Sequence, residues 1–160
     1  AIIKKNRAVK RNPRIILFSP RGRKFDQVIA KNLSKEKHLI LICGRYEGID
    51  ERLSELLLAE ELSIGDYILT GGELPAMVVT DAVTRLLKGA LGNIESAEAE
   101  SFEKNLLEHP HYTRPADFMG KKIPKVLLSG DHNKIAAWRK LESARITKIR
   151  RQDLLKGFKS

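Results

Sequence analysis

Two short, unbroken apolar runs constrain this chain more than any other feature. Residues 14–20 read Arg-Ile-Ile-Leu-Phe-Ser-Pro and are stopped by proline. Residues 38–43 read His-Leu-Ile-Leu-Ile-Cys and are stopped by Gly44. Unbroken runs of this length suit strands covered on both faces, the condition of a parallel sheet. Residues 23–36, between them, read as helical. Tyr67-Ile68-Leu69, ended by Gly71-Gly72, is a third strand candidate. A helix is predicted from Pro75, a favoured first-turn residue, to about Leu87. Strand, helix, strand in alternation predicts an α/β fold.

The character changes from Gly89 to Glu103, where Gly, Ala, Ser and Glu dominate without periodicity. That stretch reads as a linker or mobile loop. Residues 109–115, with two prolines, read as turn-forming and extended. Asp131 is placed to cap a helix carrying Ile135 and Trp138, and the basic segment from Arg145 to Lys159 reads as helical in part. The expected division is 1–91, an α/β domain; 92–99, a flexible linker; and 100–160, a small, mostly helical domain.

Charge is distributed by segment. Residues 1–37 hold twelve basic and two acidic groups, residues 38–120 hold six and fifteen, and residues 121–160 hold twelve and three. The net charge of +10 therefore sits at the two ends, around an acidic middle. Cationic ends favour a polyanion, because neutralising phosphates releases condensed counterions. Solvated lysines that aid solubility are the competing reading. No apolar run has the length of a bilayer span, so no membrane partner is expected. The N-terminal AIIKKNRAVKRNPR shows no sustained apolar stretch of a cleavable signal, and a cytoplasmic location is the expectation.

Several chemistries lose their sequence support. GxGxxG, GxxxxGK[ST] and HExxH do not occur. The single cysteine, Cys43, excludes an internal disulfide framework and reads as a buried, inert thiol. His109 and His111 are neighbours, but no metal-ligand spacing completes a site around them, and no metal ligand is assigned. What stands out instead is three glycine-containing loops at 19–23, 44–52 and 63–73. Ligands of open α/β sheets bind outside the carboxyl ends of the strands. Glycines there let backbone N–H and C=O groups approach a ligand, so three such loops can line one pocket.

GRYEGIDER (44–52), SIGDYILTGGELPAM (63–77), HYTRP (111–115) and VLLSGDH with the following Trp138-Arg139 occur in this order. Together they resemble the bacterial tRNA (guanine-N1)-methyltransferase family, TrmD, over about residues 14–155. The resemblance implies the SPOUT fold: a parallel α/β sheet with a deep trefoil knot holding S-adenosylmethionine, then a small, mostly α-helical domain. It also implies a homodimer, a tRNA substrate and, as a further cofactor, Mg2+. The family begins with additional strands and helices, so the chain is expected to be a piece of a longer protein.

By family position the cofactor-binding residues are Pro20, Gly44, Glu47, Ile64, Gly65, Asp66, Tyr67, Ile68, Leu69, Gly71 and Gly72. Ile64 and Leu69 can wall an adenine while their backbones bond its edge. Tyr46 either stacks on the guanine or walls the site; core packing is the ordinary alternative for it and for Tyr67. The resemblance assigns Glu100 as the base that removes the guanine N1 proton and Arg85 as its partner. The family's usual aspartate is a glutamate here, and Arg151-Gln152 stands where Arg-Pro is common. Arg139, Arg145, Lys148 and Arg151 are the expected RNA contacts. The implied reaction is methylation of the tRNA guanosine just 3′ of the anticodon. The alternatives are a non-catalytic RNA-binding module and a knotted methyltransferase of ribosomal RNA.

Overall fold

The structure is a computed structural model that describes residues 13–45, 48–90, 101–102 and 105–155. The chain divides into two compact units, Ala1–Gly92 and Asn93–Ser160.

In the first unit, strand β1 runs over Arg14–Lys24, helix α1 over Gln27–Leu33 and strand β2 over Leu39–Ile42. Helix α2 follows at Glu51–Leu57, strand β3 at Glu60–Ser63 and helix α3 at Glu73–Thr84. The sheet order is β2-β1-β3, all parallel. Arg14 to Leu17 pair with Leu39 to Ile42, and Ile16 to Phe18 pair with Glu60 to Leu62. The central strand carries the unbroken apolar run, and Ile15, Ile16, Leu17 and Phe18 are all buried. Side chains alternate across a strand, so Ile16 and Phe18 share one face. That face packs with Ile29, Ala30 and Leu33 of α1, Leu62 of β3, and Val79 and Val83 of α3 in one core. Full burial of such side chains contributes ~1.5–3 kcal/mol each.

Helix ends follow local chemistry. The Asp26 carboxylate accepts the Ile29 N–H over 2.8 Å at the start of α1. Asp50 accepts the Arg52 N–H over 3.0 Å at the start of α2. Helix α3 begins two residues before Pro75, which sits in the first turn where its missing N–H costs no intrahelical bond.

Three expectations need correction. The third strand is Glu60–Ser63, and Tyr67–Leu69 is irregular, with Ile68 81% exposed. The two glutamates are tolerated in the sheet because arginines of β1 meet them: Arg14 bonds Glu60 at 2.6 Å and Arg21 bonds Glu61 at 3.1 Å. Helix α1 is shorter than 23–36, since β1 continues to Lys24. Cys43 is exposed, because β2 ends at Ile42 and the thiol lies past the strand. Partial desolvation, and then the Glu73 carboxylate, push that thiol's pKa up.

The second unit centres on helix α4, His132–Arg150. The Asp131 carboxylate caps it, accepting N–H groups of Asn133 and Lys134 at 3.1 and 3.0 Å. A two-residue hairpin pairs β4, Asp117–Phe118, with β5, Lys121–Lys122. Short 3-10 turns at Lys125–Leu128 and Gln152–Leu155 flank α4. The segment before the hairpin is tied to α4: the Thr147 hydroxyl accepts the Leu107 N–H over 2.8 Å, and the Ser143 hydroxyl donates to the Leu107 carbonyl. Thr147 is fully buried, and its hydroxyl also donates to the Ser143 carbonyl over 2.7 Å, so its polar groups are satisfied. Among the described residues, no helix is long and apolar enough to cross a membrane.

Candidate functional site

The carboxyl ends of the three parallel strands open onto a cavity of about 580 Å³. The three glycine-containing loops converge on it, and each is fixed to a neighbour. Gly72 donates its N–H to the Gly44 carbonyl over 2.9 Å, and Arg45 bridges antiparallel to Gly71. The Arg45 guanidinium donates to Glu73 over 2.5 Å and holds that carboxyl below its usual range. Arg21 spans from the first loop to Glu51 of α2 at 2.8 Å and to Glu61 of β3.

Close backbone approach explains the glycines. A Cβ at Gly72 would lie 2.7 Å from the Cys43 Cα, against backbone that cannot swing away. A Cβ at Gly22 would run into the β3 backbone at Glu61 and Leu62. Gly65 has φ +155°, and a Cβ there would strike the Tyr67 ring, whose hydroxyl donates to the Ile64 carbonyl at 3.2 Å. The Ser63 hydroxyl closes the turn, donating to the Gly65 carbonyl and accepting the Gly65 N–H.

Of the residues expected to hold the cofactor, Pro20, Gly44, Ile64, Gly65 and Tyr67 line the cavity. Ile68, Leu69, Gly71 and Gly72 line it as well. Asp66 does not: its carboxylate points to solvent and accepts from Lys24 Nζ at 2.7 Å. Tyr46, Glu47 and Glu100 lie outside the described residues. Sequence reasoning missed Arg21, Arg45, Ile49, Glu51, Thr70 and Pro75, which also line the cavity. Arg45 and Ile49 sit inside the GRYEGIDER stretch and could have been found from it. Glu51 sits in that stretch as well, Thr70 and Pro75 in SIGDYILTGGELPAM, and Arg21 in the first glycine-containing loop, so each lay within a segment the sequence singles out.

Arg85 is not brought to this cavity. It follows the last residue of α3, its backbone N–H bonded to the Asp81 carbonyl. The cavity meets α3 at Pro75 in its first turn, so roughly 15 Å of helix separates the two. On α4, Arg145 and Lys148 share a face at a spacing of three, while Arg139 lies on the opposite side from Lys148. Arg145 is engaged by Glu142 at 2.8 Å. Arg151 is engaged by Asp153 at 2.6 Å, and its guanidinium stands 5.6 Å from the centre of the Phe102 ring. The cavity's lining is mixed, apolar at Ile64, Ile68 and Leu69 and charged at Arg21, Arg45 and Glu51, as small-molecule sites are.

Residues 2–157 match the family model described as tRNA (Guanine-1)-methyltransferase TrmD. The chain belongs to this family. Its TrmD relatives include the protein of Carboxydothermus hydrogenoformans named tRNA (guanine-N(1)-)-methyltransferase, 59% identical over 156 residues, covering 97% of this chain and 62% of the relative. Proteins of the same name from Listeria innocua and Clostridioides difficile are 56% and 57% identical, covering 96% and 91% of this chain and 63% of each relative. The chain thus spans less than two thirds of the length of these TrmD relatives. The match takes in all three cavity loops and the whole of α4.

Proposed function

We propose that this chain carries the S-adenosylmethionine cavity and the RNA-binding unit of a methyltransferase acting on guanine N1 of tRNA, at the guanosine just 3′ of the anticodon. The convergence of the three loops at the strands' carboxyl ends carries the reading, since nine of the residues expected to hold the cofactor line the cavity there. The TrmD family membership agrees with it. The deep trefoil knot and a cytoplasmic location belong to the same reading. Mg2+ rests on the family resemblance alone, and no residue is assigned to it.

When bound, S-adenosylmethionine supplies an electrophilic methyl group. Ile64 and Leu69 wall the adenine, and backbone groups of the third loop bond its edge. Glu100 takes the N1 proton, and Arg85 stabilises charge developing on the guanine O6. Arg85 stands a helix length from the cavity of its own chain, which supports a homodimer in which it serves the other copy's cavity. Exposed Leu56 of α2 and Leu74, Met77 and Val78 of α3 supply apolar surface for such a partner. Arg139, Arg145, Lys148 and Arg151 contact RNA phosphates.

The test is thermal unfolding with and without S-adenosylmethionine or its demethylated product. A native-state ligand at 100 times its Kd adds about 2.7 kcal/mol to stability. The expected result is a clear rise in Tm that Gly65→Val abolishes. No rise at saturating cofactor overturns the cavity assignment. A rise without methyl transfer to tRNA would make the chain a non-catalytic module.

A further inference from the structure

The second unit holds a cluster of side chains that methyl transfer does not use. One donor atom from each of Glu108, His109 and His111 lies within 4.8 Å of the other two. His111 Nε2 is 2.8 Å from Glu108 Oε1, and the two imidazole rings stand 4.7 Å apart, centre to centre. We propose that these three residues form a binding site for a borderline divalent transition-metal ion, Zn2+ above all, with a fourth position open to solvent or ligand.

The donor set is two imidazoles and a carboxylate, which such ions take readily and hard ions such as Mg2+ do not. Zinc bonds N and O donors at about 2.0–2.2 Å, which puts tetrahedral donors roughly 3.3 Å apart. The Glu108–His111 pair, now in direct contact at 2.8 Å, has to open by only about 0.5 Å to reach that spacing. The His111 side chain is 66% exposed, which leaves it room to rotate toward the other two donors. The His109 tautomer protonated at Nδ1 donates to the Pro110 carbonyl 3.2 Å away, leaving the Nε2 lone pair for the ion. A second hydrogen bond of this kind is how metal-ligating histidines are oriented.

The backbone beneath the cluster is held in advance. Leu107 is bonded through both its N–H and its carbonyl to α4, and the Glu108 N–H donates to the Ser101 hydroxyl over 2.9 Å. The Trp138 ring, 6.4 Å from that of His109, walls one side. Sites set on a fixed support lose less on binding than sites on free loops.

The experiment is calorimetric titration of ZnCl2 into the full chain in non-chelating buffer. A parallel titration with CoCl2 follows the fluorescence of Trp138, the chain's single tryptophan. One saturable site and quenching of Trp138 are expected. His111→Ala and Glu108→Gln should each weaken binding at least about tenfold. His38→Ala and His132→Ala, at the two remaining histidines, should leave it unchanged. Far-UV circular dichroism verifies that each variant is folded. His109→Ala adds a third ligand test, and were it to unfold, the other two variants decide. No saturable heat at millimolar Zn2+, or undiminished affinity in His111→Ala and Glu108→Gln, overturns the proposal.

Discussion

Gly72 donates its N–H to the Gly44 carbonyl over 2.9 Å, joining the loop after β2 to the start of α3. The bond holds two cavity loops at one separation. It requires glycine at 72, since a Cβ there meets the Cys43 backbone at 2.7 Å and Gly44 N at 3.0 Å. Gly72→Ala is therefore expected to destabilise the protein by ~1–3 kcal/mol, as overpacking against backbone does. Urea unfolding measures the loss, and cofactor affinity should fall with it.

Thr147→Val tests the tie between α4 and the segment before the hairpin. Valine keeps the shape but leaves the part-buried Leu107 N–H without its acceptor. An unsatisfied buried donor costs ~1–3 kcal/mol. Thr147→Ser, which restores the hydroxyl, should recover part of the loss in the same unfolding experiment.

If Arg145 contacts RNA as proposed, Glu142, paired with it at 2.8 Å, competes with the phosphate. Its carboxyl is held below its usual range by the Arg145 guanidinium, so the pair is intact at neutral pH. Glu142→Gln should tighten tRNA binding and steepen its salt dependence by about 0.7–0.9 in log–log slope, the release expected for one more phosphate contact. Filter binding across salt concentrations reads both. A slope unchanged from wild type places the RNA surface away from this face of α4.

Glu100→Gln should slow the chemical step of methyl transfer by ~10²–10⁴, the usual contribution of a positioned base. Glu100→Asp should retain much of the activity. Arg85→Ala should slow the same step by ~10²–10³ with little change in cofactor affinity. Single-turnover transfer to tRNA checks all three. A wild-type rate in Glu100→Gln would move the base to Asp50 or Glu98.

The strands were legible where burial is written in local composition. Ile15 to Phe18 and Leu39 to Ile42 are apolar without a break, and both form strands. β3 was hidden because Glu60 and Glu61 are made compatible with a sheet by Arg14 and Arg21, which lie about forty residues away in sequence. The glycine loops announced the cavity because close backbone approach leaves a residue-specific mark. Asp66 lies off the cavity lining, its exposed carboxylate paired with Lys24, a contact between residues 42 apart that motif position does not announce. The Glu108–His111 pairing went unread because three ligands in four residues match no familiar metal-binding spacing, and only the clamped backbone brings their donors together.

The order β2-β1-β3 also sets a timetable. The middle strand of the sheet is the earliest of the three in the chain, and both neighbours that bury it come later. At synthesis rates of ~5–20 residues per second, roughly two to nine seconds pass between Phe18 and Ser63 leaving the ribosome's catalytic centre. For that interval Ile15, Ile16, Leu17 and Phe18 lack the partner strand that later shields them. The same residues that make the core are, on the nascent chain, open to wrong pairing and to capture by chaperones until β3 emerges.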